Sequence, residues 1–333
     1  MNSSRYQRPA PALARAVEAS HRHSFSVAPA GDRWVLTEYS VLLQLRDLAE
    51  PELRLAGLRF NPGSRVSNRD LYYCGLRFQR FDGEIQAISG LPNSPRLVNL
   101  NWSPDSRWLA FTHNGEQGLE LWVADFESGQ ARPLATPPLN QVHGGACFRW
   151  LRDSSGLIAL AAAPEGAVPK PPALPSSPLI HDHGGSKAPT RTYQDLLKTP
   201  HDQDLFAYYL RSQLFVVQLE GEIRPLLESK LLTQFSLSPE GRHLLVQELL
   251  QPFSYQVPYQ RFASRTQVFD LQGQLLQTVA ELPVCESIPP DFDAARPGRR
   301  YVGWREDLQS TLVWLEALDD GDPHRPAEFR DQL

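Results

Sequence analysis

The sequence predicts an all-β fold, a β-propeller of four-stranded antiparallel blades, on three observations. Proline supplies 29 of the 333 residues, roughly 9% against a usual 5% or so, which favours many turns and few long helices. A phrase of apolar strand, Ser-Pro-acid-small turn and second apolar strand recurs five times, with degenerate copies included. A second phrase, two short apolar strands around a polar-Gly turn, recurs four times and interleaves with the first. Together they make one unit: strand A, turn, strand B, connection, strand C, Gly turn, strand D. That unit is a propeller blade.

In chain order, the first A–B phrase is FSVAPAGDRWVL at 25–36, and its C–D hairpin is LRFQRFDGEIQAI at 76–88. The second pairs LNWSPDSRWLAF at 100–111 with 119–134, and the third pairs FRWLRDSSGLIAL at 148–160 with LFVVQLEGEIRPLL at 214–227. The fourth pairs FSLSPEGRHLLV at 235–246 with TQVFDLQGQLLQTV at 266–279. Alternating apolar positions around a Gly turn are the hairpin signal in each. A fifth A–B phrase, YVGWREDLQSTLVW, occupies 301–314, and strand C is expected about where the sequence stops, giving about four and a half blades. An incomplete arc has open strand edges, so self-association of the isolated chain is expected.

Marker positions locate the insertions. Val27, Trp102, Trp150, Leu237 and Trp304 mark strand A, and Gly83, Gly129, Gly221 and Gly273 mark the hairpins. Marker to Gly spans 56, 27, 71 and 36 residues, whereas Gly to the next marker spans 19, 21, 16 and 31. Most extra length therefore lies between strands B and C, in inserted loops near 40–70, 164–204 and 251–262. The stretch 164–204 is rich in Pro and Gly and reads as one long loop, with a helical turn expected at Tyr193 to Lys198. The domain reading is a lead-in at 1–24 and a partial propeller at 25–333.

Composition narrows the function classes. Hydrophobic residues are 41% and charged residues 21%, as in ordinary globular domains, and the net charge of −5 provides no general field for nucleic acid or anionic lipid. No apolar run approaches the length of a membrane span. Neither nucleic acid nor membrane is an expected partner. Cys74, Cys147 and Cys285 are odd in number and far apart, which fits a reducing compartment, and residues 1–8 lack the apolar core of a secretory signal. A cytoplasmic location is expected.

Chemistry-bearing motifs are sparse. No Gly-x-Ser-x-Gly nucleophile elbow occurs, and His143-Gly144-Gly145 and His183-Gly184-Gly185 read as loop glycines rather than oxyanion-hole motifs. His21 with His23 and His181 with His183 read as solvated loop histidines, and Asp319, Asp320 and Asp322 lack the spacing of a calcium loop. No catalytic residue, metal or cofactor is expected in these residues. Trp102, Trp108, Trp122, Trp150, Trp304 and Trp314 fall at equivalent strand positions and read as packing between blades.

Several long phrases resemble the prolyl oligopeptidase family of serine peptidases, specifically its glutamyl endopeptidase-like members. They are YQRPAPALARAVEA near Tyr6, LRDLAEPELRLAGLRFNP at 45–62, TYQDLLKTPHDQDLFAYYLRSQL at 192–214, QPFSYQVPYQRF at 251–262 and VGWREDLQSTLVWLEALDDGDP at 302–323. The Val-Ala-Pro-Ala turn near Pro29 and the short NPGSRVSNRD segment at 61–70 depart from the family pattern. The resemblance implies an N-terminal propeller that gates and positions peptide substrate for a C-terminal α/β-hydrolase domain absent from these residues. This chain alone would then be inactive. It also implies an acidic residue at the cleavage site. The aromatic and basic stretch 251–265 suits an extended acidic peptide, with Arg261, Arg265 and Tyr259 as candidate contacts; the competing reading is a self-packed loop with its arginines paired to carboxylates. A noncatalytic interaction module is the alternative function.

Overall fold

A computed structural model describes residues 9–17, 22–39, 44–67, 69–163, 166–172, 192–288 and 293–333. Helix α1 (Pro11–Val17) precedes the strands. The first blade contains β1 (Arg22–Val27) and β2 (Arg33–Tyr39), then a connection with α2 (Leu45–Ala49) and the hairpin β3 (Leu53–Leu55) and β4 (Leu58–Phe60), then β5 (Tyr73–Arg80) and β6 (Ile85–Ala87). The second is β7 (Leu97–Trp102), β8 (Trp108–Gly115), β9 (Gly118–Asp125) and β10 (Gln130–Pro133). The third is β11 (Phe148–Trp150), β12 (Gly156–Ala162), β13 (Ser212–Gln218) and β14 (Ile223–Pro225), with α3 (Pro200–Leu210) before β13. The fourth is β15 (Leu232–Leu237), β16 (His243–Leu249), β17 (Ser264–Asp270) and β18 (Leu275–Leu282). The fifth sheet holds β19 (Arg300–Trp304), β20 (Leu312–Ala317) and β21 (Asp331–Gln332).

Each blade is an antiparallel A-B-C-D sheet; the sheets of the first two run together where Tyr73 of β5 lies opposite Leu97 of β7. The expected four and a half blades are present. The fifth sheet begins its third strand at the end of the sequence, where Asp331 and Gln332 oppose Ala317 and Glu316. Every marker residue ends its strand A, and every marker glycine lies in a C–D turn.

The A–B turns share one construction. Ala28, Ser103, Leu151, Ser238 and Arg305 donate their N–H groups to Arg33, Trp108, Gly156, His243 and Thr311 carbonyls at 2.8–2.9 Å. The tight return puts Gly31, Ser106, Ser154 and Gly241 at positive φ. Glycine meets that demand at least cost. The two serines offset their strain by reaching the preceding blade: Ser106 Oγ accepts from Ala30 N at 2.9 Å, and Ser154 Oγ from Asp105 N at 3.1 Å.

The strand-A tryptophans bridge blades in the same direction. Trp102 Nε1 donates to Ser26 O at 3.2 Å, Trp150 Nε1 to Asn101 O at 3.0 Å and Trp304 Nε1 to Ser236 O at 3.3 Å. Trp102 and Trp150 are buried. The packing role read from the sequence therefore includes a hydrogen bond between neighbouring strands A, which satisfies the buried indole N–H.

The long B–C connections correct the loop reading. Tyr193 to Lys198 is not helical: Asp195 has φ +57, its carbonyl accepts from Gly57 N, and its carboxylate receives Arg59 Nε at 2.5 Å, pinning the segment to the β3–β4 hairpin. The helix starts later, at Pro200. Thr199 Oγ1 caps Asp202 N at 3.1 Å, the Asp202 carboxylate returns to Thr199 N at 3.0 Å, and Pro200 occupies the first turn. The histidines at 21, 181 and 183, and Gly184 and Gly185, lie outside the described residues.

Candidate functional site

The connections from the first, third and fourth blades meet in a core of their own. Leu55, Leu58 and Phe60 of the β3–β4 hairpin pack with Leu197, Phe206, Tyr209 and Leu210, and with Phe253, Val257 and Phe262. Phe253 and Phe262 stack with centroids 5.3 Å apart, and the Phe206 ring meets both edge-on. The end of α3 is held from two sides, because Arg65 Nη1 and Asn140 Nδ2 both donate to the Tyr209 carbonyl, at 2.8 and 2.7 Å. A chain reversal after Pro258 then presents Tyr259, whose N–H donates to Ala56 O and whose hydroxyl donates to the His143 carbonyl at 3.3 Å.

Beside this core is a cavity of about 670 Å³, where the first strands of the third, fourth and fifth sheets converge. Arg149 enters from β11, Thr233 to Ser236 from β15, and Arg300 to Val302 from β19; His143 and Tyr259 close one side. Among the described residues four arginines line it, and no Asp or Glu does. Two are neutralised from behind: Arg299 pairs with Glu316 at 3.0 Å and lies over the Trp314 ring, and Arg300 pairs with Asp331. Arg296 spends its terminal nitrogens on the Gln260, Phe262 and Pro283 carbonyls. Burial lowers its pKa, a shift opposed by Cys285 and reinforced by the nearby charge of Arg261. Burial also lowers the pKa of Arg149. An arginine keeps its charge through such shifts.

His143 is buried, and burial pushes its pKa down to about 4, so the ring is neutral at neutral pH. Its Nδ1 accepts from Gly145 N at 2.9 Å, and a Cβ on Gly145 would stand 2.7 Å from the ring. Gly144 has φ +74. This His-Gly-Gly is a loop device, as read from the sequence.

The three candidate contacts separate. Tyr259 lines the cavity. Arg261 lies outside the cavity wall, 5.2 Å over the Tyr193 ring, and has no carboxylate partner among the described residues. Arg265, on β17, holds Glu281 at 2.6 Å and Glu248 at 3.4 Å. Sequence reasoning passed over Arg149, Arg296, Arg299 and Arg300. The available signal was positional: Arg149 sits one residue before a strand-A tryptophan, the place held by Asn101 one blade earlier. Among the described residues no group of three or more His, Cys, Asp or Glu could hold a metal ion, and no helix is long and apolar enough to cross a membrane.

Two plant proteins named probable glutamyl endopeptidase, chloroplastic, are similar to this chain. The one from Oryza sativa subsp. japonica is 33% identical over 341 residues, covering 98% of this chain and 36% of the relative. The one from Arabidopsis thaliana is 33% identical over 340 residues, covering 98% and 35%. The chain thus spans about a third of the length of the curated relatives it matches, and the glutamyl endopeptidase-like resemblance extends along nearly all of it. No protein-family model matches. Among solved structures, the acylaminoacyl peptidase of Pyrococcus horikoshii aligns with 80% of this chain and 33% of its own at 11% identity and a TM-score of 0.43. The β-propeller domain of the Trilobed protease of Pyrococcus furiosus aligns with 78% and 58% at 9% identity and a TM-score of 0.38.

Proposed function

We propose that this chain is the propeller part of a serine endopeptidase of the glutamyl endopeptidase type, gating and positioning peptide substrate for an α/β-hydrolase domain carried elsewhere in the same polypeptide. The observation that carries the reading is the 33% identity over 98% of the chain to relatives of that name, about three times as long. The site supports it through charge. Arg261 stands free of carboxylates among the described residues, on a turn fixed by Tyr259 and the Phe253–Phe262 stack. A guanidinium so placed suits the carboxylate of an acidic substrate residue, which it can hold through two parallel hydrogen bonds.

Two measurements test this. The reading frame downstream of the Leu333 codon should continue into a Gly-x-Ser-x-Gly segment; a stop codon with no such segment would move the chain to the interaction-module reading. In the polypeptide carrying both parts, Arg261→Ala should lower kcat/KM for peptides cleaved after glutamate by about 10- to 150-fold, as expected from losing one charge-assisted hydrogen bond of roughly 1.5 to 3 kcal/mol. Neutral peptides should be nearly unaffected. Equal kinetics on an acidic peptide would remove Arg261 from the site.

A further inference from the structure

The cavity between the third, fourth and fifth sheets carries an excess of donors. Among the described residues Arg149 has neither a hydrogen-bond nor an ion-pair partner, although it is half-buried in the wall. Nε of Arg296, Nε of Arg300 and Nε2 of His143 are buried and also lack partners. Because His143 Nδ1 accepts from Gly145, the neutral ring carries its proton on Nε2, so all three atoms are donors. The carboxylates on the fifth sheet's strands, Glu316 and Asp331, are already held by Arg299 and Arg300. Withdrawing a guanidinium from water without a counter-charge is unfavourable, and an incoming anion removes that cost.

We infer that this cavity is an anion subsite, separate from Arg261, that takes the carboxylate of an acidic residue in a bound peptide through the guanidinium of Arg149. Among the described residues Arg149 is the lining guanidinium with its whole fork free, and a carboxylate matches that fork with two parallel hydrogen bonds; Arg296 keeps its charge but spends its terminal nitrogens on carbonyls, and Arg299 and Arg300 are paired with carboxylates. That the carboxylate arrives on a peptide rests on the function proposed above. The subsite would engage an acidic residue away from the bond that is cut, adding affinity for acidic stretches.

The test is a binding measurement on the chain itself, with no hydrolysis involved. A fluorescent, blocked hexapeptide containing one glutamate is titrated with protein and followed by anisotropy beside its glutamine counterpart. The glutamate peptide should bind about tenfold more tightly, as one screened charge-assisted contact implies. In an Arg261→Ala background, which removes the other proposed acidic contact, Arg149→Gln should abolish the preference and Arg149→Lys should keep part of it, with thermal melts confirming that each variant folds. In the wild-type protein, the glutamate peptide should protect Arg149 from phenylglyoxal and the glutamine peptide should not, a readout independent of any variant's folding. Equal affinities for the two peptides, or a preference surviving Arg149→Gln, would overturn the subsite. Acetate or phosphate binding as tightly as the peptide would overturn its peptide occupant. A stop codon after Leu333 with no Gly-x-Ser-x-Gly segment would count against the peptidase reading and leave this measurement standing.

Discussion

Replacing Phe206 with alanine tests whether the connections form a true core. Phe206 is 1% exposed, and its ring meets Phe253 at 5.0 Å and Phe262 at 5.7 Å, both edge-on. The substitution removes a fully buried ring and two aromatic pairs. Phe→Ala changes in well-packed cores cost about 3 to 5 kcal/mol, within which aromatic pairs contribute roughly 0.5 to 1.5 kcal/mol each beyond area. We expect about 4 kcal/mol for Phe206→Ala and under about 1.5 kcal/mol for the volume-sparing Phe206→Leu. Urea unfolding followed by tryptophan fluorescence measures the global loss. Amide exchange across α3 and at Phe262 measures a local one, because this core is built mainly from the connections and can open with little change in the blade sheets. A loss below 1 kcal/mol with unchanged exchange would show that the connections merely lie against one another.

Two further predictions concern His143 and the blade tryptophans. His143 titrates near 4 in the folded chain against 6.5 in the unfolded one, so the unfolded state takes up the proton first as pH falls. Its contribution is complete above about pH 6.5 and is lost progressively toward pH 4, roughly 2 to 3 kcal/mol by pH 4.5; His143→Asn should flatten that part of the stability–pH curve, and parallel curves for the two proteins would refute the assignment. Trp150→Phe, which deletes the donor to Asn101 O, should cost about 1 to 3 kcal/mol. Trp108→Phe should cost less in the same urea assay, since its indole N–H has no partner among the described residues.

The blades were legible because their information is local. A strand alternates within six or seven residues, a Gly turn declares itself in two, and the five A–B phrases repeat one sterically demanding return, so spacing alone placed Trp102, Trp150 and Trp304 at the ends of their strands. Helix α3 also had a local signal, the capping pattern Thr199-Pro200-His201-Asp202, but its apolar residues Phe206, Tyr209 and Leu210 bunch at one end and give a weak helical period. The shared core of the connections had no such signal, because its contacts join residues near 60, 206 and 262. The cavity was hidden for the same reason. Arg149, Arg296 and Arg300 are unremarkable singly and become a site only when β11, β19 and the connection before β19 bring them together. The two-residue β21 is too short to carry a pattern.

The indole bonds between strands A leave one junction different from its neighbours. They tie the first blade to the second, the second to the third and the fourth to the fifth. At the third-to-fourth junction the marker is Leu237, whose side chain has no N–H to give. That junction is still fastened farther out, where Arg224 on β14 donates to Leu271 O at 2.9 Å. At the centre apolar burial replaces the missing hydrogen bond: Leu160 and Leu214 of the third blade pack with Phe235 and Leu244 of the fourth. Such contacts are non-directional, so the junction that borders the cavity is held by area rather than by register, and it tolerates a small slide that an indole hydrogen bond at the other three junctions would resist.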